Sequence, residues 1–183
     1  MAMPGIRGME HVGITVPDID EACAFFTDIL GAEVLFTAAE NFKGEGDWMA
    51  EHLNVHPRSV IKEFCYVRLG NGTNLEVFQY DAPDQAQTPL KNSDVGGHHM
   101  AFYVDDMSAA IAFLKEKDVK VLGEPTSYED GPNLGLTWCY FMAPWGLQLE
   151  IVSAPNATTF DNEAKAAGRR RLFDPSRPQE TLI

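Results

Sequence analysis

Eight residues, His11-Val12-Gly13-Ile14-Thr15-Val16-Pro17-Asp18, are written a second time as His99-Met100-Ala101-Phe102-Tyr103-Val104-Asp105-Asp106. Each copy opens on a histidine, alternates as a strand does, and closes on an aspartate able to cap a helix. The registration continues into the next element, where Ile19, Ala22 and Phe26 recur as Met107, Ala110 and Leu114. One supersecondary unit is therefore used twice. Two histidines at equivalent places in a duplicated unit imply one shared site at the pseudo-symmetry centre.

In the first copy, residues 8 to 16 read as a strand with Val12, Ile14 and Val16 on a core face and His11, Gly13 and Thr15 on the other. A helix is expected next, with Asp18 as N-cap, Glu21 completing a capping box, an apolar stripe of Ile19, Ala22, Phe26 and Ile29, and Gly31 at its end. Glu33 to Thr37 reads as a second strand. The run from 39 to 57 is too long for a simple connection. Within it, Asp47 to Asn54 reads as a short capped helix carrying Trp48, either a lid over a site or a surface helix packed on the neighbouring module. Strands from Ser59 to Leu69 and Asn74 to Tyr80 flank Gly70-Asn71-Gly72, a hairpin signal.

The second half repeats the plan: strand 98 to 104, helix 106 to 117, strand 119 to 122, a loop from Gly123 to Leu134, and strands 135 to 142 and 147 to 152 joined by Ala143-Pro144-Trp145-Gly146. The expected class is α+β with two tandem β-α-β-β-β modules. The first spans 1–81 with an insert at 39–57, a linker follows at 82–95, and the second spans 96–154. A polar extension, 155–183, is expected to wrap the surface or a partner subunit.

Composition excludes several functions. A chain of 183 residues with a formal charge of −13 repels phosphate backbones, which argues against nucleic-acid binding. No apolar run is long enough to span a bilayer, and Met1-Ala2-Met3-Pro4-Gly5 lacks the apolar core of a signal peptide. A cytoplasmic protein without membrane contact is expected. Cys23, Cys65 and Cys139 form no C-x-x-C and read as reduced, partly buried thiols.

Two carboxylates stand in the last strand of each half. Glu76 lies between Leu75 and Val77, and Glu150 between Leu149 and Ile151. Period-two geometry turns both away from their apolar neighbours and toward the face of His11 and His99. Charged groups do not face an enclosed surface cheaply, and a divalent cation removes that cost. Two imidazoles with two carboxylates suit one Ni, Co, Fe, Mn or Zn ion, with positions left open for water or substrate. His11, Glu76, His99 and Glu150 are therefore the expected metal ligands. Thr15, Phe78, Tyr80 and Tyr103 share that face and are expected to contact substrate, with Trp48 closing over it. His98 falls out of register, and His52 and His56 belong to the insert. Arg58, Lys62 and Arg68 read either as anion contacts or as solvated pairs.

Paired β-α-β-β-β modules carrying His11, Glu76, His99 and Glu150 resemble the vicinal oxygen chelate superfamily, which includes glyoxalase I, methylmalonyl-CoA epimerase, bleomycin and fosfomycin resistance proteins and extradiol dioxygenases. The resemblance covers roughly residues 8 to 153. It implies an open, cup-shaped mixed sheet around one metal, on which a small substrate chelates through adjacent oxygens. His11, His99 and Glu150 match the dioxygenase triad, while Glu76 as a fourth ligand matches the non-redox branch. Glutathione-binding members carry arginine and asparagine where Thr15 and Tyr80 stand, so the resemblance does not extend to that co-substrate. The surrounding residues look like the epimerase branch, which usually has glutamine at Glu76.

The function expected on these grounds is a metal-dependent isomerase, epimerase or lyase that transfers a proton next to a carbonyl, with Glu76 or Glu150 as base. An Fe(II) extradiol-type dioxygenase and a non-catalytic drug- or metabolite-binding protein are the alternatives. The expected partners are a small-molecule substrate and a second copy of the chain, as a homodimer.

Overall fold

The computed structural model describes residues 3–6, 8–70 and 73–173. Met1 and Ala2, Asn71-Gly72 of the expected hairpin and residues 174–183 of the extension lie outside the described residues. The chain divides into two compact units, one ending at Gln87 and the next beginning at Thr88.

In the first unit β1 (His11–Thr15), α1 (Ile19–Leu30), β2 (Glu33–Ala38), α2 (Trp48–Leu53), β3 (Val60–Leu69) and β4 (Thr73–Asp81) follow in order. The four strands form one sheet ordered β1-β4-β3-β2. β1 runs parallel to β4, and the β3–β4 and β2–β3 pairs are antiparallel. In the second unit β5 (Met100–Tyr103), α3 (Met107–Glu116), β6 (Val121–Ser127), β7 (Thr137–Met142), β8 (Gln148–Ser153) and α4 (Thr159–Ala166) give a sheet ordered β5-β8-β7-β6 with the same parallel and antiparallel pairs. The α+β class and the repeated β-α-β-β-β plan stand as read from the sequence.

The duplication extends to the caps. The Asp18 carboxylate accepts from the Glu21 N–H at 2.9 Å, and the Asp106 carboxylate accepts from the Ala109 N–H at 2.9 Å. Each satisfies a backbone donor that the first helical turn leaves open. α1 ends on Gly31 at φ 64, a left-handed conformation that glycine adopts without a Cβ clash. Ile14, Val16, Ile19, Ala22 and Phe26 are buried between β1, α1 and the sheet. Leu75, Val77 and Cys65 supply the sheet's side of that core, and Leu149, Ile151 and Cys139 do so in the second unit. One face of each sheet is thus sealed under a helix. Polar side chains in the same strands must face the other way.

Several boundaries differ from expectation. Val12 is only half-buried, and Phe25 takes the core place expected for Ile29. β5 starts at Met100, so His99 stands just before the strand. β6 continues to Ser127 through Gly123 and Pro125, where the sequence predicts a loop. β6 is an edge strand with a register shift between Leu122 and Thr126, where a proline is tolerated because no ladder donor is lost there. The extension contains α4, capped by Thr158, whose hydroxyl accepts from the Asp161 N–H at 3.2 Å.

In the insert, α2 forms as expected, but Asp47 makes no side-chain cap and instead meets Arg58 at 3.4 Å. Trp48 stacks on His52 at 4.5 Å and packs edge-on against Phe42 at 5.2 Å, both within the insert. Arg58 also donates to the Gly46 carbonyl at 2.7 Å. No helix among the described residues is long and apolar enough to cross a membrane.

Because both caps perform the same task, Asp18→Ala and Asp106→Ala are each expected to lower unfolding free energy by about 1 kcal/mol. Urea denaturation monitored by circular dichroism checks this, and an unshifted midpoint in either variant would count against the capping role.

Candidate metal centre

Each open sheet face carries the same group of three side chains. In the first unit His11 opens β1, Glu76 lies on the neighbouring β4 and Tyr66 lies opposite Glu76 on β3. In the second, His99 precedes β5, Glu150 lies on β8 and Tyr140 lies opposite it on β7. Parallel pairing of the first and last strands places each histidine beside its glutamate, although 65 residues separate the first pair in sequence.

The contacts repeat as well. His11 Nε2 lies 3.1 Å from Glu76 Oε2, and His99 Nε2 lies 2.9 Å from Glu150 Oε2. The other ring nitrogen is held in both cases, His11 Nδ1 by the Glu10 carboxylate and His99 Nδ1 by the Asn92 amide oxygen at 3.2 Å. Tyr66 packs edge-on against His11 with ring centroids 5.8 Å apart, and Tyr140 does the same against His99 at 5.1 Å. An imidazole with one nitrogen anchored and the other beside a carboxylate is the arrangement of a metal-ligating histidine with its outer partner. Within either unit, among the described residues, this gives two such donors and no group of three His, Cys, Asp or Glu side chains.

The two halves differ in one hydrogen bond. The Tyr66 hydroxyl donates to Glu76 Oε1 at 2.7 Å, so both oxygens of Glu76 are engaged. That bond to the carboxylate, with burial and the same negative charge, pushes the Tyr66 phenol up to about 12. Tyr140 makes no equivalent bond; burial first and the Glu150 charge second raise its phenol. Glu150 therefore keeps Oε1 clear of hydrogen bonds among the described residues. His11 is raised above its ordinary value, chiefly by its hydrogen bond to the Glu10 carboxylate, with burial opposing and the Glu76 charge assisting.

The remaining expected site residues fall as follows. Thr15 is paired with Phe78 across β1 and β4, on the open face. Phe78 stacks on Phe64 at 5.8 Å and meets Tyr80 at 5.5 Å, extending that face as an aromatic surface. Burial raises the Tyr80 phenol, and Glu76 adds to it. Tyr103 stacks on Phe173 of the C-terminal segment at 4.9 Å. Trp48 belongs to the insert cluster described above. His98 is exposed with Nδ1 at 3.2 Å from the Gly96 carbonyl, and His56 accepts from the Arg58 N–H at 3.0 Å. The sequence reading missed Tyr66, Tyr140, Glu10 and Asn92. A tyrosine ten residues before each glutamate was the available signal for the first two.

Loss of the Tyr66 hydroxyl removes a bond to a charged acceptor, which contributes about 1.5–3 kcal/mol when desolvated and less in this half-buried place. Tyr66→Phe is expected to lower unfolding free energy by roughly 1 kcal/mol, and Tyr140→Phe by less than half of that. Equal effects in chemical denaturation would contradict the asymmetry between the halves.

A family model described as glyoxalase/bleomycin resistance protein/dioxygenase superfamily matches residues 10–140. The chain is 41% identical over 94% of its length to the 2-epi-5-epi-valiolone epimerase of an Actinomyces species, covering 91% of that protein. It is 34% identical over 63% of its length to the mitochondrial methylmalonyl-CoA epimerase of Bos taurus, covering 57% of that protein. Among solved structures, a glyoxalase family protein from Bacillus cereus is similar with a TM-score of 0.64 at 20% identity, covering 83% of this chain and 98% of that one. The fosfomycin resistance protein of Listeria monocytogenes, solved with Mn(II) and sulfate, is similar with a TM-score of 0.52 at 15% identity, covering 81% and 93%. With its repeated module and this match over most of its length, the chain belongs to the glyoxalase/bleomycin resistance protein/dioxygenase superfamily.

Proposed function

We propose that this chain is a divalent-metal-dependent epimerase that moves a proton on a carbon next to the carbonyl of a small substrate. The observation that carries the reading is the His–Glu pair built twice, at 3.1 and 2.9 Å, each with the outer imidazole nitrogen anchored. Identity to two epimerases supports the choice of reaction.

His11, Glu76, His99 and Glu150 are the residues that would hold the ion, and their two nitrogen and two oxygen donors fit Mn, Fe, Co, Ni or Zn. When bound, such an ion stabilises the negative charge that grows on a carbonyl oxygen as the neighbouring proton leaves. Glu10 and Asn92 fix the two rings so that Nε2 is the nitrogen presented. Tyr66 holds Glu76 in place through Oε1.

Epimerisation removes a proton from one side of a carbon and returns one to the other, so it needs two proton-carrying groups. Glu150 is the proposed base, since its Oε1 accepts no hydrogen bond among the described residues. Glu76, protonated from solvent on the oxygen that does not accept from the Tyr66 hydroxyl, is the proposed partner that returns a proton to the opposite side, and the proton taken by Glu150 passes to solvent. The open faces carry Thr15, Phe78 and Tyr80 in the first unit and Tyr103 in the second as proposed substrate contacts. A chain charge of −13 opposes the many negative charges of a coenzyme A thioester. Among carbonyl substrates, that favours a small uncharged one.

Solvent-deuterium incorporation next to the carbonyl of a hydroxylated ketone, followed by NMR with the metal-loaded protein, tests the reading. Incorporation is expected in the wild type, with a loss of at least about 100-fold in Glu150→Gln and a smaller loss in Glu76→Gln. Oxygen uptake with catechols under Fe(II) in place of exchange would replace this reading with ring cleavage. Binding of ligands without exchange or metal would replace it with sequestration.

A further inference from the structure

Cys23 on α1 and Cys65 on β3 place their sulfurs 3.1 Å apart, although 42 residues separate them in sequence. Both are free thiols, as is Cys139, the third cysteine of the chain. A disulfide holds its sulfurs at about 2.05 Å, so this pair lacks only about 1 Å of approach. The two thiols are close to bonding distance before any element moves.

The repeated module shows that the fold does not require this pair. Cys65 and Cys139 hold equivalent places, each buried on the covered face directly before the tyrosine that lies opposite the glutamate. The registration that relates His11 to His99 and Phe26 to Leu114 relates Cys23 to Ile111, which is buried. An isoleucine thus packs in one half where a thiol stands in the other. Cys139 Sγ lies against backbone carbonyls instead, those of Leu122 at 4.0 Å and Tyr140 at 3.7 Å.

The two paired thiols differ in access. Cys65 is fully buried and Cys23 is half-buried, so Cys23 is the one a small solute reaches. Burial first, and the contact with Cys23 second, raise the Cys65 thiol, which therefore holds its proton.

We propose that Cys23 and Cys65 form an oxidation site that takes a peroxide and closes to a disulfide. Cys23, as thiolate, attacks one peroxide oxygen. The S–O bond forms, the O–O bond breaks, and the departing oxygen takes a proton to leave as water or an alcohol. Cys65 Sγ then attacks the Cys23 sulfur. The S–S bond forms, the S–O bond breaks, and hydroxide leaves as water with the Cys65 proton. Two thiols together lose two electrons and two protons, and the peroxide is reduced by those two electrons. In the second step contact replaces encounter, which offsets the burial of Cys65. The product ties α1 to β3 on the covered face and narrows the unfolded ensemble by closing the chain between them. In a reducing compartment the pair rests as thiols, and thiol reductants reopen the bond. None of this depends on the metal or on the proton-transfer reading.

The test treats the whole chain with hydrogen peroxide, removes the excess with catalase, denatures the protein in iodoacetamide and follows the cysteines by mass spectrometry. The expected product carries one alkyl group, on Cys139, with Cys23 and Cys65 recovered in one linked peptide pair that lacks two hydrogens. Dithiothreitol restores alkylation of all three cysteines. In Cys65→Ala the oxidation is expected to stop at a Cys23 sulfenic acid, captured by dimedone, and in Cys23→Ala both remaining thiols stay open to alkylation. A Cys65 that still takes the alkyl group in peroxide-treated wild type overturns the proposal, whether Cys23 is intact or carries oxygen. A link through Cys139 or between two chains overturns it as well. The wild-type result decides by itself where a variant fails to fold.

Discussion

The short contact between a histidine Nε2 and a glutamate Oε2, made across a parallel strand pair, is the constraint around which each half is built. A parallel neighbour cannot be reached by a hairpin, so the chain must leave β1, cross the sheet's covered face as α1, and return through β2 and β3 before β4 can dock beside β1. The helix seals one face with Phe26, Leu75 and Val77. What remains on the other face, by alternation, is His11 and Glu76 with the aromatic rings of Tyr66, Phe78 and Tyr80. Repeating the module repeats the pair, and 3.1 Å in one half is matched by 2.9 Å in the other.

Duplication left the halves alike in framework and different in wiring. Glu10 anchors one ring with a carboxylate, and Asn92 anchors the other with an amide. The stronger acceptor beside His11 is what lifts that imidazole. Tyr66 closes on Glu76, while Tyr140 leans on Trp138 at 5.1 Å and Glu150 Oε1 has no hydrogen bond among the described residues. Two carboxylates at equivalent places thus differ in their hydrogen bonding through one hydroxyl.

Much of this was legible in the sequence because it is periodic. His11 opens β1 and His99 directly precedes β5, Glu76 and Glu150 sit between buried residues, and Asp18 and Asp106 cap matching helices. All are local patterns that alternation or helical spacing resolves. Tyr66 and Tyr140 were not found, since their place opposite the glutamates depends on the β3–β4 and β7–β8 registers. Glu10 and Asn92 act from outside the strands, where no period marks them. Pro125 disguised the outer part of β6, and an edge strand tolerates it. α4 was obscured by the polar composition of the extension, although Thr158 and Asp161 already spelled a capped start. The insert kept Trp48 to itself, packed on Phe42 and His52.

The central claim is that two His–Glu pairs, one from each half, serve a single divalent ion. Elemental analysis of metal-loaded protein, in the wild type and in His11→Ala and His99→Ala, tests it most directly. The account predicts one equivalent per chain in the wild type and none retained when either histidine is replaced. Two equivalents per chain, or one equivalent that survives the loss of either histidine, would contradict it.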